Sequence, residues 1–168
     1  LAAGFDKNAE VVNSLLSLGF GFVEAGTVTP NPQYGNEKPR VFRLNEDLAI
    51  INHLGFNNKG ALYALKQLKK LNLNLLSSGI VGINIGKNKD TTNYLDDYNY
   101  CLEKLGPNAH YVTINISSPN TPGLRNLQNR GNIEKLVQSL KDKKNELSSL
   151  ENTPIFFKIA PDMDEEQI

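Results

Sequence analysis

The chain has no tryptophan, one cysteine, one methionine and two histidines among its 168 residues. A lone Cys101 excludes an intrachain disulfide framework and is compatible with a reducing compartment. His53 and His110 lie far apart, outside any run of cysteines or carboxylates with ligand spacing, so no metal site is expected. Charge of one sign is lacking too. Eighteen Lys plus Arg balance 18 Asp plus Glu, which removes the bulk electrostatic reason to expect a nucleic acid or a charged membrane surface as partner. No apolar run approaches the roughly 20 residues of a membrane-spanning helix.

What the chain does have is alternation. Leu1 to Phe5 reads as a strand, Asn8 to Leu18 as a helix stopped by Gly19, and Gly21 to Thr27 as a second strand. Pro30, Pro32, Gly35 and Pro39 then break any helix, and Arg40 to Leu44 alternates as an exposed hairpin strand would, predicting a small antiparallel ribbon. Ala49 to Asn58 runs into a polar, glycine-marked corner. A helix is expected from Gly60 to Leu71, with Leu62, Leu65 and Leu68 on its buried face. A strand at Ile80 to Gly86 follows, then a helix from about Thr92 to Leu105. After them come a strand entering at Val112, a helix from about Asn132 to Leu150, and a last strand within Pro154 to Asp162. The strands read as apolar on both faces, as buried parallel strands do. The fold class expected is therefore α/β: one domain over 1–168, formed by about the first five strands of an eight-stranded (β/α) TIM barrel. The start at Leu1 without a methionine, and the helix-like first turn at Asp164 to Ile168, read as the ends of a piece of something longer.

Barrels place their chemistry at the C-terminal ends of the strands. There this chain offers Lys7, Thr27, Asn52, Asn84, Asn115, Ser118, Asn120 and Lys158. Asparagine is common here, 22 residues in all, so one at a strand end means little. Three in otherwise apolar strands mean more, because a buried amide must find partners. Amides pair donors with acceptors and so suit a flat heterocycle with carbonyls and ring N–H groups, and lysines suit an anionic group. The loop Ser117-Ser118-Pro119-Asn120-Thr121-Pro122-Gly123 follows a strand directly, and its two prolines keep Ser118 and Thr121 out of helical conformation. Cys101, inside a predicted helix, reads as a small core residue. Two other readings stay open on these residues. One is a Schiff-base lyase using Lys158 or Lys7 as nucleophile. The other is a non-catalytic binding half-barrel.

The succession Ala2-Ala3-Gly4-Phe5-Asp6-Lys7-Asn8, Gly26-Thr27-Val28-Thr29-Pro30, Lys38-Pro39-Arg40-Val41-Phe42-Arg43-Leu44, Ile51-Asn52 with Gly55-Phe56-Asn57, Gly82 to Lys89, Asn115 to Arg125 and Lys158-Ile159-Ala160-Pro161-Asp162 resembles the dihydroorotate dehydrogenases of the membrane-associated, quinone-using class. The match runs from Leu1 to Asp162 in the family's order. The resemblance implies an FMN-containing barrel that oxidises dihydroorotate to orotate in pyrimidine biosynthesis and passes the electrons to a membrane quinone. It implies Ser118 as the base that takes the C5 proton; the soluble classes carry cysteine there. Lys7, Asn52, Leu54, Gly55, Phe56, Asn115 and Asn120 correspond to substrate contacts. Ala3, Gly4, Thr27, Asn84, Asn115 and Lys158 correspond to FMN contacts, and Arg43 to an arginine on the quinone side. Thr121 is expected as a proton relay for Ser118, with Phe56 excluding water and Lys158 stabilising charge beside the flavin. His53 stands where relatives often have arginine and is expected outside the ligand shell. The resemblance also implies N-terminal helices that dock on the membrane, and later strands that hold the FMN phosphate, neither of them within these residues. On this basis residues 1–168 alone are not expected to hold the flavin or turn over. The membrane would be the mitochondrial inner membrane in a eukaryote and the cytoplasmic membrane in a bacterium.

Overall fold

The computed structural model describes residues 1–71 and 79–163. Its elements run α1 (Val12–Ser17), β1 (Phe22–Val28), β2 (Val41–Leu44), β3 (Ala49–Asn52), α2 (Ala61–Leu68), β4 (Ile80–Ile85), α3 (Tyr94–Leu105), β5 (Tyr111–Asn115), α4 (Arg130–Glu146) and β6 (Ile155–Lys158). Strands β1, β4, β5 and β6 form one parallel sheet and lie side by side in the order in which they occur. Helices α2 and α3 pack together, as do α3 and α4. A sheet whose strands advance in sequence order, with each crossover helix beside the last, winds in one sense only. That is the winding of a barrel rather than of a doubly wound sheet, whose strand order reverses at a switch point.

Side chains alternate across a strand, and here the alternation sorts polarity. Val23, Ala25, Val81, Ile83, Ile85, Val112 and Ile114 are all fully buried in a core shared with Leu102, Leu105, Leu136 and Leu140. Burial of each such Val, Leu or Ile contributes about 1.5–3 kcal/mol. The opposite face carries Glu24, Asn84, Tyr111, Thr113, Asn115 and Lys158. The strands are thus not apolar on both faces as expected: only the face under the helices is. Gly82 belongs to the polar face for a steric reason, since a Cβ there would lie 2.1 Å from the ring of Tyr111.

The expected strand at Leu1 to Phe5 is not formed, so the sheet has four strands and not five. The segment does bond along β1, with Leu1 N donating to Phe22 O at 2.7 Å, Glu24 N to Leu1 O at 2.9 Å, Gly4 N to Gly26 O at 2.8 Å and Gly26 N to Asp6 O at 2.8 Å. Its departure from strand geometry has a cause in Asp6. The buried carboxylate accepts from the backbone N–H groups of Asn8, Glu10 and Val11 and curls 6–11 into a turn. The same turn delays α1 to Val12. Helix α2 buries Ala61, Ala64 and Leu68, and Leu62 faces solvent at 63% exposure, contrary to expectation. Helix α4 ends at Glu146, and a separate 3₁₀ turn, Ser148–Leu150, buries Leu150. The helical turn expected at 164–168 lies outside the described residues.

The expected antiparallel ribbon is present: β2 pairs with β3 from Val41 opposite Asn52 to Leu44 opposite Ala49, with every residue exposed. It leaves β1 and returns beside the loop after β5, which brings its end to the rim of the site.

Gly26 sits where β1 bends toward that rim. Its φ is +118°, and a Cβ there would lie 2.3 Å from the backbone oxygen of Asn84. Gly26→Ala in the full-length protein therefore meets both backbone strain and overpacking against an immovable carbonyl. The expected loss is at least about 2 kcal/mol, read as a lower urea midpoint at unchanged slope. An unshifted midpoint would show that the bend relaxes freely.

Candidate active site

The ends of β1, β5 and β6 and the segments at 3–7, 52–56 and 115–125 enclose a cleft of about 390 Å³. Lining it are Ala3, Gly4, Lys7, Thr27, Asn52, Leu54, Gly55, Phe56, Asn115, Ser118, Asn120 and Lys158, twelve of the residues singled out from sequence. Two fall elsewhere. Asn84 is fully buried one layer below the cleft. Arg43 lies on the exposed ribbon, paired with Ile50. Ser117, Pro119, Arg125 and Pro161 complete the lining. A larger cleft of about 570 Å³ lies along Asn31 to Gly35 and Asn88 to Thr91. The Asn88 amide there is engaged within the protein, donating to Thr29 Oγ1, Asn31 O and Gln33 Oε1. The larger cleft holds none of the strand-end residues singled out from sequence except Gly55.

The floor is a continuous hydrogen-bonded layer. Lys158 Nζ donates to Ser117 Oγ at 3.0 Å, and Ser117 donates through Oγ and N to Asn115 Oδ1 at 3.0 and 3.1 Å. Asn115 Nδ2 donates to Thr27 Oγ1 at 3.0 Å and Asn84 Oδ1 at 3.1 Å, and Thr27 donates to Asn84 Oδ1 at 2.6 Å. Below, the phenol of the fully buried Tyr98 holds the Asn115 carbonyl at 2.8 Å. Burial pushes the Tyr98 phenol well up from its ordinary range, so it stays a donor. Cys101, one helical turn along α3, is fully buried, and its thiol is likewise raised by burial. It is a core residue with no thiolate to offer.

The loop after β5 forms one wall. Ser118 is half-buried, and its Oγ accepts from Asn120 N at 3.2 Å. Arg125 clamps the loop to the segment after β6. Its Nε donates to Ser117 O at 3.2 Å and its Nη1 pairs with Asp162 at 2.9 Å, and this holds the Asp162 carboxyl below the usual carboxylate range. From the other side, Asn36 Nδ2 donates to Asn120 O at 3.1 Å and His53 Nδ1 lies 3.0 Å from Asn120 Oδ1, which requires the proton on Nδ1. His53 is outside the lining, yet it touches a lining residue directly. Thr121 is buried and also outside the lining, and its Oγ1 has no hydrogen-bond partner among the described residues. Phe56 is buried at a φ of +54°, its ring packed where a Cβ on Gly86 would stand, beside the Thr27 methyl.

Lys7 faces the cleft from the Asp6 turn and pairs with no carboxylate among the described residues. Burial, and then the charge of Arg40, lower its pKa from the ordinary lysine value. A half-buried cation without a counter-ion is an anion site in waiting. Gly4 adds open backbone, since a Cβ there would meet nothing within 4 Å. The donor set fits a flat heterocycle bearing carbonyls laid on the floor, with an anionic group reaching Lys7. Sequence reasoning missed Ser117, Arg125 and Tyr98. A serine beside the expected base, an arginine at the loop's end and a tyrosine at helical spacing carry no distinguishing signal of their own.

The family model described as "Dihydroorotate dehydrogenase" matches residues 1–168. A relative from Pseudoalteromonas translucida named "Dihydroorotate dehydrogenase (quinone)" is 53% identical over 172 residues, covering 100% of this chain and 50% of its own length. One from Cyclocybe aegerita, named "Dihydroorotate dehydrogenase (quinone), mitochondrial", is 50% identical over 170 residues, covering 100% of this chain and 51% of its own. The crystal structure of DHODH from Eimeria tenella in complex with ferulenol superposes with a TM-score of 0.91 at 42% identity, over 99% of this chain and 50% of that one. The chain spans about half the length of the curated relatives it matches. Its α/β fold is accordingly part of a TIM barrel.

The state of Lys7 has a measurable consequence in the full-length protein. With a folded-state pKa below the unfolded value, the protonated lysine costs stability at neutral pH, and that cost shrinks as pH rises past the folded pKa toward 10.5. Lys7→Met is expected to raise the urea midpoint at pH 7, with the advantage over wild type narrowing as pH rises toward 10.5. A midpoint below wild type at pH 7 would mean that Lys7 is paired in the native state.

Proposed function

The chain belongs to the dihydroorotate dehydrogenase family, and from that premise we propose that it is part of a quinone-using enzyme of pyrimidine biosynthesis that oxidises dihydroorotate to orotate. The observation that carries the proposal is the cleft itself, which Ser118 lines together with Asn115, Asn120, Lys7, Lys158 and Thr27. FMN, when bound, supplies the acceptor for the hydride from C6 and the route onward to a quinone.

The chain's own residues do the rest. Lys7, a partly buried cation with no carboxylate partner among the described residues, takes the orotate carboxylate. The Asn52, Asn115 and Asn120 amides match the alternating donors and acceptors of the ring edge. Ser118 Oγ removes the C5 proton. A serine hydroxyl is a weak base at neutral pH, so it needs stabilisation as it loses its own proton; the Asn120 N–H at 3.2 Å supplies one such bond. Thr121, buried with no hydrogen-bond partner for its hydroxyl among the described residues, is the relay that carries the proton away, and the Phe56 ring keeps water out. Lys158 holds positive charge at the floor, where negative charge develops. Serine rather than cysteine at 118 supports the quinone class, as do the names of the relatives. On this reading residues 1–168 are one part of an FMN-binding barrel domain, and Arg43 faces the quinone from the ribbon. Membrane association comes through a segment outside these residues, on the mitochondrial inner membrane in a eukaryote or the cytoplasmic membrane in a bacterium.

One observation favours a second reading. The lowered pKa of Lys7 is what a Schiff-base nucleophile needs. Borohydride in the presence of a carbonyl substrate would then trap an adduct on Lys7, an outcome that the dehydrogenase reading excludes.

The test mixes the full-length, FMN-loaded protein anaerobically with dihydroorotate and follows the flavin absorbance. Wild type is expected to bleach rapidly, and Ser118→Ala to slow bleaching by about 10²–10⁴-fold, the usual worth of a positioned base. Equal rates would remove Ser118 from its role, and no bleaching by wild type would sink the dehydrogenase reading.

A further inference from the structure

Glu24 does not line the cleft, yet the hydrogen bonds of the cleft floor end on it. From Lys158 the chain of donors runs through Ser117, Asn115 and Thr27 to Asn84 Oδ1, and Asn84 Nδ2 then donates to Glu24 Oε1 at 2.8 Å. Glu24 Oε2 accepts from Thr113 Oγ1 at 2.8 Å and from the Tyr111 phenol at 3.1 Å. Every bond in this chain points the same way. An ammonium at one end can only donate and a carboxylate at the other can only accept, and each amide between them is thereby fixed in one of its two orientations. Burial, followed by the charge of Glu24, pushes the Tyr111 phenol up, so it too remains a donor. The arrangement is built: Gly82 has no side chain where the Tyr111 ring passes to reach Glu24, and Phe156 steadies that ring edge-on at 5.4 Å.

We propose that Glu24 is a positioning residue for the cofactor floor: its carboxylate takes the far proton of the Asn84 amide and so holds Asn84, Thr27 and Asn115 in the one arrangement that faces the ligand. The proposal rests on the flavin reading above. Asn84 is fully buried, and Glu24 is the one acceptor recorded for its Nδ2 among the described residues. Without that acceptor a buried N–H is left unpaired. The amide turns or moves to satisfy it, and Thr27 and Asn115 follow because both are bonded to its oxygen.

The experiment uses the full-length protein stripped of flavin and titrated with FMN, following the loss of flavin fluorescence, with circular dichroism to establish that each variant is folded. Glu24→Met removes the acceptors at similar length and is expected to weaken FMN binding by about tenfold or more. Glu24→Gln, which can still accept from Asn84 through Oε1, is expected to stay within roughly threefold of wild type. If the methionine variant fails to fold, Glu24→Asp replaces it. That variant keeps the charge but withdraws the carboxylate by one methylene, and its expected loss matches that of methionine. A merely structural role would lower the melting temperature and leave the FMN affinity of the folded protein unchanged. Wild-type affinity in folded Glu24→Met or Glu24→Asp overturns the proposal, as does a loss in Glu24→Gln equal to theirs. A wild-type chain that takes up no FMN overturns the flavin reading first, and the proposal with it.

Discussion

The side chain of Asn115 is the joint on which the site depends. Its amide nitrogen reaches Thr27 on β1 and Asn84 on β4, its oxygen takes both donors of Ser117 at the start of the loop, and its backbone carbonyl is held by Tyr98 from α3. Its backbone also lies opposite Lys158 in the register of β5 and β6. One residue thus ties three strands, a helix and the loop after β5. Each of these bonds lies in a layer where an unpaired polar atom would cost about 1–3 kcal/mol, so the layer holds together or fails as a unit.

That layer exists because the parallel strands are two-sided. The face under α2 to α4 is closed by aliphatic side chains and supplies the folding energy. The opposite face, directed to the barrel interior, is free to carry Glu24, Asn84, Thr113 and Asn115 only because each finds a partner on another strand of the sheet. The sequential strand order is what makes this possible. Residues on neighbouring strands lie at one height, so Asn84 stands opposite Thr113, and Asn115 opposite Lys158.

Much of this was legible in the sequence. Strands marked by runs of Val and Ile, the exposed ribbon and the cluster of strand-end amides and lysines all stand where the pattern put them, because hydrophobic period and turn chemistry are local signals. The failures have physical causes of equal clarity. Leu1 to Phe5 has the composition of a strand, but the Asp6 carboxylate captures three N–H groups and overrides it. Leu62 has the helical spacing of a core residue, but the stripe that α2 buries is Ala61, Ala64 and Leu68, one position round the helix. Glu24 within Phe22–Val28 carries no local signal of its role. Nothing in its neighbours along the chain announces Asn84, Tyr111 and Thr113, which lie 60 to 89 residues away.

Floor and rim differ in kind. On the floor the amides are buried and bonded at 2.6–3.1 Å, with donors and acceptors assigned before any ligand arrives. At the rim Asn52 is exposed, Asn120 reaches it only at 3.4 Å, and Lys7 has no carboxylate partner among the described residues. A prearranged surface binds without paying for its own ordering, which suits a group that stays in place through many turnovers. On the proposed reading, the loosely bonded groups of the rim suit a molecule that must leave after each turnover. On the dehydrogenase reading, the polarity of the strands thus sets a resident site on the floor apart from an exchangeable one at the rim, within the cleft that Ser118 also lines.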